Sequence, residues 1–234
     1  MEQRAALADF SMDRVVPFFQ PIMELNNNKV WRYECLARLL TDSEKIFLPN
    51  DFLYIVERAQ SSQALTHHIY ELSRRYCQHR NMPWNINLSD QDLKGNDLLE
   101  WFDNLTPSQR NGLFGIEVSY DLIKHNTAFI ESVQQHCGEI VITVDDVYEH
   151  SHSLDEILMY GVDALKLKGD FVKAYAASGV GEECMIGIQQ SCLLHDTKLI
   201  AEHIEDKATC DAVKAIGIQY GQGFYFSEPS AQIN

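Results

Sequence analysis

Carboxylates, amides and one lysine recur through the chain at Glu34, Asn87, Glu117, Asp145-Asp146, Lys166, Glu202 with Glu205, and Gln222. Acidic oxygens of this kind suit hard divalent cations, Mg²⁺ or Mn²⁺, and two adjacent aspartates can serve two ions that share a bridging ligand. The chemistry requires that the chain gather them. Five or six carboxylates in one place cannot all stay ionised unless cations hold them. Taken singly, each such residue is an ordinary exposed side chain. A series of them, each at the same point of successive elements, calls for another reason.

The elements that would gather them alternate. Extended segments occupy 17–25, 29–38, 84–88, 113–119, 139–146, 163–168, 197–202 and 219–226, and helix-like stretches fill 51–80, 90–104, 122–136, 153–160, 170–195 and 206–216. Within 51–80, Phe52, Ile55, Val56, Leu65, Ile69, Leu72 and Tyr76 fall close to a 3.6-residue period. The run from Ile140 to Val144 is almost continuously apolar, as a strand covered on both sides should be. Eight strands in 234 residues is the pace of a (β/α)8 TIM-type barrel. Asn26-Asn27-Asn28 reads as a hairpin turn, too short for a crossover helix, so the first two strands are expected to be antiparallel. An open doubly wound sheet is the other α/β arrangement, but no Gly-rich loop follows any strand and neither a dinucleotide fingerprint nor a P-loop is present. In a barrel the carboxyl ends of the strands converge on one mouth. Strands two to eight would each bring a carboxylate, amide or lysine there.

Composition sets the outer bounds. With 45% hydrophobic and 23% charged residues the chain is globular, and no linker divides it, so 1–234 reads as one domain with 1–14 as an N-terminal lead-in. No apolar run is long enough to span a membrane, and the N-terminus lacks a basic start followed by an apolar core. Cys35, Cys77, Cys137, Cys184, Cys192 and Cys210 form no C-x-x-C pair and read as reduced thiols, which suggests the cytoplasm. A net charge of −15 argues against general nucleic-acid binding. A phosphate ligand is still compatible with it, provided metal ions sit between that ligand and the carboxylates.

Three tempting features have plainer readings. His150 and His152 form an H-x-H without a third partner, and read as a solvated loop. Cys35, beside Glu34, has no basic partner and reads as an inert buried thiol. Phe18, Phe19, Phe224, Tyr225 and Phe226 could stack on a base, although most of them read as core.

The polar residues sit in motifs that resemble those of a known family. Glu34-Cys35-Leu36-Ala37-Arg38 is similar to the ExLxR signature of EAL domains, the cyclic di-GMP phosphodiesterases. Phe19-Gln20-Pro21-Ile22 resembles YQPI, Asn87-Leu88-Ser89 NLS, and Ile116-Glu117-Val118-Ser119 the segment around E-[IV]-[ST]. Asp145-Asp146 opens what is usually DDFGTG. Leu165-Lys166-Leu167 stands for KI, the segment Ala201 to Glu205 for AEGVE, and Gln222-Gly223-Phe224 for QGY. The matches run in order along nearly the whole chain.

The resemblance implies a two-metal phosphodiesterase that converts cyclic di-GMP to linear pGpG. Glu34, Asn87, Glu117 and Asp145 would ligate one Mg²⁺ or Mn²⁺ ion, and Asp145, Asp146 and Glu202 the second. A water between the ions would attack phosphorus in line. Lys166 would orient that water and offset charge on the phosphoryl oxygens. Glu205 and Gln222 would fix ligands and waters, Arg38 would fork onto a phosphate, and Gln20 would hydrogen-bond a guanine.

The chain also departs from the family pattern. Val147 to Ser153 replaces FGTGYSS, with both glycines gone, and Tyr120 stands where a second glutamate usually braces that loop. A rebuilt loop is expected to need no brace. Because this loop touches the dimer interface in the family, a homodimer is left open, as is a regulatory protein partner. Lys168 replaces the aspartate of KID, and would compete for carboxylates if it faced the mouth. His203 replaces the glycine of AEGVE and adds bulk beside Glu202. A receptor or protein-binding module of weak or no activity is therefore the alternative to the enzyme, with a metal-dependent barrel hydrolase of another phosphate ester as the fallback.

Overall fold

Apolar residues dominate the extended segments, and the pairing of those segments closes a ring. The structure is a computed structural model that describes residues 10–41, 45–109 and 113–233. Residues 1–9 of the expected lead-in lie outside the described residues; Met12–Arg14 form a 3-10 turn. The strands are β1 (Val15–Glu24), β2 (Lys29–Leu40), β3 (Ile46–Phe47), β4 (Trp84–Asn87), β5 (Phe114–Ser119), β6 (Val141–Val147), β7 (Ala164–Leu167), β8 (Lys198–Ala201) and β9 (Tyr220–Gly221). Their order is β1-β9-β8-β7-β6-β5-β4-β2-β3, and β1 also pairs with β2, so eight staves close into a barrel with β3 appended to β2.

The first pair is antiparallel, as the asparagine turn requires, with Gln20 opposite Glu34. Asn28 sits at φ 56°, and the Lys29 N–H donates to Asn27 Oδ1 at 2.9 Å, so the turn satisfies its own backbone. From β2 through β4 to β9 the neighbours run parallel. Helices cover the outside, and β5 to β7 are buried on both faces as their apolar runs demand. Inside the barrel, Ile22, Ala164 and Ile200 form a separate small apolar cluster.

Several elements are shorter than the pattern suggests. The stretch 51–80 is two helices, Pro49–Arg58 and Ser62–Gln78, broken where Gln60 takes φ 52°. The stretch 170–195 divides into Gly169–Ser178 and Glu182–Leu194, with Gly179 and Gly181 in the left-handed region between them. Helix fills only Asp97–Asp103 of 90–104, and 122–136 is split into Tyr120–Ile123 and Ala128–Cys137. The last strand is the largest correction. Expected over 219–226, it ends at Gly221, and a turn follows in which Phe226 N–H donates to Gly223 O. A Cβ on Gly223 would lie 2.1 Å from Ile204 O, so only glycine lets the chain turn there and carry Gln222 over the mouth. No helix among the described residues is long and apolar enough to cross a membrane.

Candidate active site

Strand alternation sends Glu34, Asn87, Glu117, Asp145 and Lys166 to one end of the barrel interior, where Glu202 and Gln222 join them. Lys166 is the hub and is completely buried. Its Nζ lies 2.8 Å from Glu202 Oε1, 2.9 Å from Glu117 Oε2, 3.0 Å from Glu34 Oε2 and 3.5 Å from Asp145 Oδ2. Amides hold the carboxylates from the side. Asn87 donates to Glu34 Oε1 at 2.8 Å, and Gln222 donates to Glu34 Oε2 at 2.8 Å and to Gln20 Oε1 at 3.2 Å. Asp146 follows with φ 59° and a half-exposed side chain, its N–H turned back onto Asp145 Oδ1.

One ammonium cannot balance so many carboxylates, and their proton affinities record it. Burial pushes Glu117 up to about 7, with the Glu34 charge adding to it and Lys166 opposing. Burial likewise raises Asp145, and raises Glu202 well above the ordinary range. Glu34 moves the other way: burial would raise it, but Lys166, Asn87 and Gln222 together hold it below the usual value. Lys166 stays charged far above the usual lysine range, the four carboxylates outweighing its burial.

The donor set fits divalent cations. Carboxylate oxygens of Glu34, Glu117 and Asp145 lie within 4.8 Å of one another, and so do those of Asp145, Asp146 and Glu202. The two groups share Asp145. Five carboxylates and one ammonium leave a charge that two divalent ions would neutralise.

A cleft of about 480 Å³ opens beside this centre, lined by Glu34, Glu202 and Gln222 at its base and by Phe18, Arg38 and Phe224 higher up. The Arg38 guanidinium lies over the Phe18 ring at 5.9 Å and donates to Ala37 O. Gln20 is tied at both ends, donating to Ser227 O at 3.1 Å while accepting from Gln222. Glu205 stands at the cleft's edge in an exposed pair with Lys173 and is not hydrogen-bonded to the acidic centre. Of the aromatic set, Phe18 and Phe224 line the cleft, whereas Phe19 is buried against Tyr76.

The departures from the family pattern each find a place. The loop after Asp146 is braced after all: Tyr120, fully buried, bonds Glu149 Oε1 at 3.0 Å and Ser151 Oγ at 2.6 Å. Lys168 does turn toward the mouth, 3.9 Å from Asp146 Oδ1 and over the Tyr148 ring. His203 takes φ 54°, in the left-handed region that favours glycine, and its ring packs against Gly169. His150 bonds Ser191, and His152 pairs with Glu156 while 89% exposed, so the two do not share a ligand. Cys35 is buried and its thiol is raised well above the ordinary value by that burial, in keeping with an inert group.

Sequence reasoning missed Arg32, Asn85 and Thr143, buried polar residues one layer below the carboxylates. The signal was available: Arg32, Asn85 and Thr143 each precede a polar site residue by two, hence face the same way.

The EAL domain family model matches residues 3–229. The chain is 24% identical over 231 residues to the cyclic di-GMP phosphodiesterase PdeB of Shewanella oneidensis, covering 91% of this chain and 26% of that protein. It is 25% identical over 240 residues to the EAL-domain containing protein YkuI of Bacillus subtilis, covering 94% and 56%. It thus spans from a quarter to somewhat over half the length of these two relatives. Among solved structures, the FimX EAL domain from Pseudomonas aeruginosa bound to c-di-GMP superposes with a TM-score of 0.85 at 18% identity, covering 100% of this chain and 96% of that one. The PaMucR phosphodiesterase in its c-di-GMP complex gives a TM-score of 0.82 at 19% identity, covering 98% of each chain. These structural likenesses establish the shared barrel.

Proposed function

The chain belongs to the EAL domain family, and from that premise we propose that it is a metal-dependent phosphodiesterase hydrolysing cyclic di-GMP to linear pGpG. The observation that carries the reading is the pair of carboxylate groups meeting at Asp145, with Lys166 between them, at the base of an open cleft. Glu34, Asn87, Glu117 and Asp145 would hold one Mg²⁺ or Mn²⁺ ion, and Asp145, Asp146 and Glu202 the other. Such ions supply Lewis-acid stabilisation of phosphoryl oxygens and acidify a bound water.

The chain's own residues do the rest. Lys166, already charged and buried, orients the attacking water and offsets negative charge on the phosphoryl group in a site of low dielectric. Gln222 holds Glu34 in place from above. Arg38 offers its guanidinium to a phosphate at the cleft wall, and Phe18 and Phe224 offer flat faces to a base. Gln20 reaches a guanine by exchanging its bond to Ser227. Glu205, on the rim, acts on waters entering the cleft.

The test is to incubate the purified protein with cyclic di-GMP and Mn²⁺ or Mg²⁺ and resolve the products by chromatography beside Glu34→Ala. Metal-dependent pGpG from the wild type alone supports the reading. Full activity in Glu34→Ala sinks the ligand scheme. A second reading, a cyclic di-GMP receptor of little turnover, draws on Lys168 standing 3.9 Å from Asp146, a protein cation beside one ligand of the second ion. It predicts saturable binding with intact nucleotide recovered afterwards.

A further inference from the structure

We infer that Arg32 is a positioning residue for the acidic centre, setting the Glu117 carboxylate through the side-chain amide of Asn85; the inference rests on the metal-dependent reading above.

Arg32 is 3% exposed, inside the barrel. Its Nε donates to Asn85 Oδ1 at 2.7 Å, and Nη2 donates to Trp84 O at 3.0 Å and Leu113 O at 2.7 Å. Asn85, completely buried, donates from Nδ2 to Glu117 Oε1 at 2.9 Å and toward Thr143 Oγ1 at 3.4 Å. The other oxygen of Glu117 takes Lys166 at 2.9 Å. Both oxygens of this carboxylate are therefore directed, one by lysine and one by the amide.

With Glu117 ionised, the order of donors and acceptors fixes one orientation. Guanidinium can only donate and an ionised carboxylate can only accept. An amide between them must turn its oxygen to Arg32 and its nitrogen to Glu117. Removing Arg32 leaves the buried Asn85 Oδ1 without its charged donor, so the amide is no longer held from that side and can shift its contact with Glu117. Arg32 also gains from the arrangement, since a buried guanidinium needs an anion and Glu117 provides the largest favourable charge acting on it.

Gly115 belongs to the same unit. It lies two residues before Glu117 on β5, and a Cβ there would stand 2.3 Å from Asn85 Oδ1, 2.9 Å from Val141 O and 3.0 Å from Arg32 Nη2. The space filled by the arginine and the amide exists because residue 115 has no side chain.

The experiment compares wild type, Arg32→Met, Arg32→Lys and Asn85→Ala for Mn²⁺ binding by calorimetry, well below each melting temperature, with metal-free crystal structures of wild type and the variants. Groups that orient metal ligands typically contribute about 10–100-fold in affinity. Arg32→Met is expected to weaken Mn²⁺ binding by at least about tenfold, with the Asn85 amide and Glu117 displaced. Lysine keeps the charge without the fork, so Arg32→Lys should recover only part of this. Asn85→Ala, which leaves Arg32 its carbonyl partners, should reproduce the loss and keeps the test open should Arg32→Met fail to fold. A lowered melting temperature with Mn²⁺ affinity unchanged and Glu117 in place would overturn the inference and make Arg32 a purely structural residue. Wild type that binds no Mn²⁺ would overturn the metal-dependent reading instead, and the metal-free structures then decide for Arg32: Glu117 displaced in the variants supports it, Glu117 unmoved defeats it.

Discussion

The hydroxyl of Tyr120 meets Ser151 Oγ at 2.6 Å across the base of the loop that follows the aspartate pair. With the phenol proton given to Glu149, the serine hydroxyl donates to Tyr120 and accepts from Leu154 N, capping the helix His152–Met159. A buried aromatic thus replaces a carboxylate as the brace of a loop that has lost its glycines, and helix capping is part of the device. Tyr120→Phe should cost about 1–2 kcal/mol in denaturant unfolding, the worth of its hydrogen bonds. Hydrogen exchange across 147–152 should quicken in the same variant. Unchanged exchange there would mean that ring packing alone holds the loop.

Lys166→Met tests the hub. Methionine keeps much of the stem's volume and removes the only cation among the described residues that contacts Glu34, Glu117, Asp145 and Glu202 together. Breaking a buried ionic set by removing one partner typically costs about 3–5 kcal/mol. The loss should be largest in the metal-free protein at alkaline pH, and should shrink in acid, where the carboxylates take up protons, and in Mn²⁺. Turnover of cyclic di-GMP should fall by about 10²–10³, as when one charge-stabilising donor is deleted. Urea melts at two pH values, with and without Mn²⁺, separate these effects; a stability loss independent of both would show that the lysine serves packing and not charge.

His203 and Gly169 form a coupled pair. The imidazole fills the space where a Cβ on Gly169 would come within 2.3 Å of Cγ and Nδ1, and His203 itself holds φ 54°. Gly169→Ala should destabilise by about 1–3 kcal/mol, as overpacking does. His203→Gly restores both the space and the backbone preference, so the double variant should recover most of that loss. Independent, additive effects in a double-mutant cycle would show that the ring moves aside freely.

How much of this was legible beforehand depended on periodicity. The carboxyl ends of barrel strands converge, so Glu34, Asn87, Glu117, Asp145 and Lys166, each within or at the end of its own strand, could be assigned to one mouth from the sequence. The breaks at Gln60 and Gly223 could not be read the same way. Gln60 is a non-glycine residue in the left-handed region, which its type does not advertise. Gly223 is required by the approach of Ile204, a contact between distant segments. Tyr120 illustrates a subtler limit: its departure from the family pattern was visible, but that it could reach the loop and brace it depended on where the chain had carried Glu149 and Ser151. For Arg32 the shared face with Glu34 is legible, but that a lone strand arginine is buried rather than exposed depends on its carbonyl partners Trp84 and Leu113.

Metal binding should be strongly pH-dependent, and the sign follows from the carboxylates. In the metal-free protein burial raises Glu117 to about 7, and Asp145 and Glu202 move in the same direction. Each binds its proton more tightly folded than unfolded. Their stabilising contribution is present below the ordinary carboxylate range and is lost as pH rises through the raised values, so the metal-free protein should be less stable at about pH 8 than at about pH 5. Divalent ions require the same oxygens deprotonated, so binding must expel those protons. With Glu117 alone releasing one proton, Mn²⁺ affinity should climb close to about tenfold per pH unit well below pH 7 and less steeply near it. Added Mn²⁺ should then reverse the alkaline loss of stability. Calorimetry in buffers of differing ionisation enthalpy counts the protons directly. An affinity that stays flat across that interval, with no proton released, would mean that the carboxylates are already ionised around Lys166 and that the lysine balances them far better than its four contacts suggest.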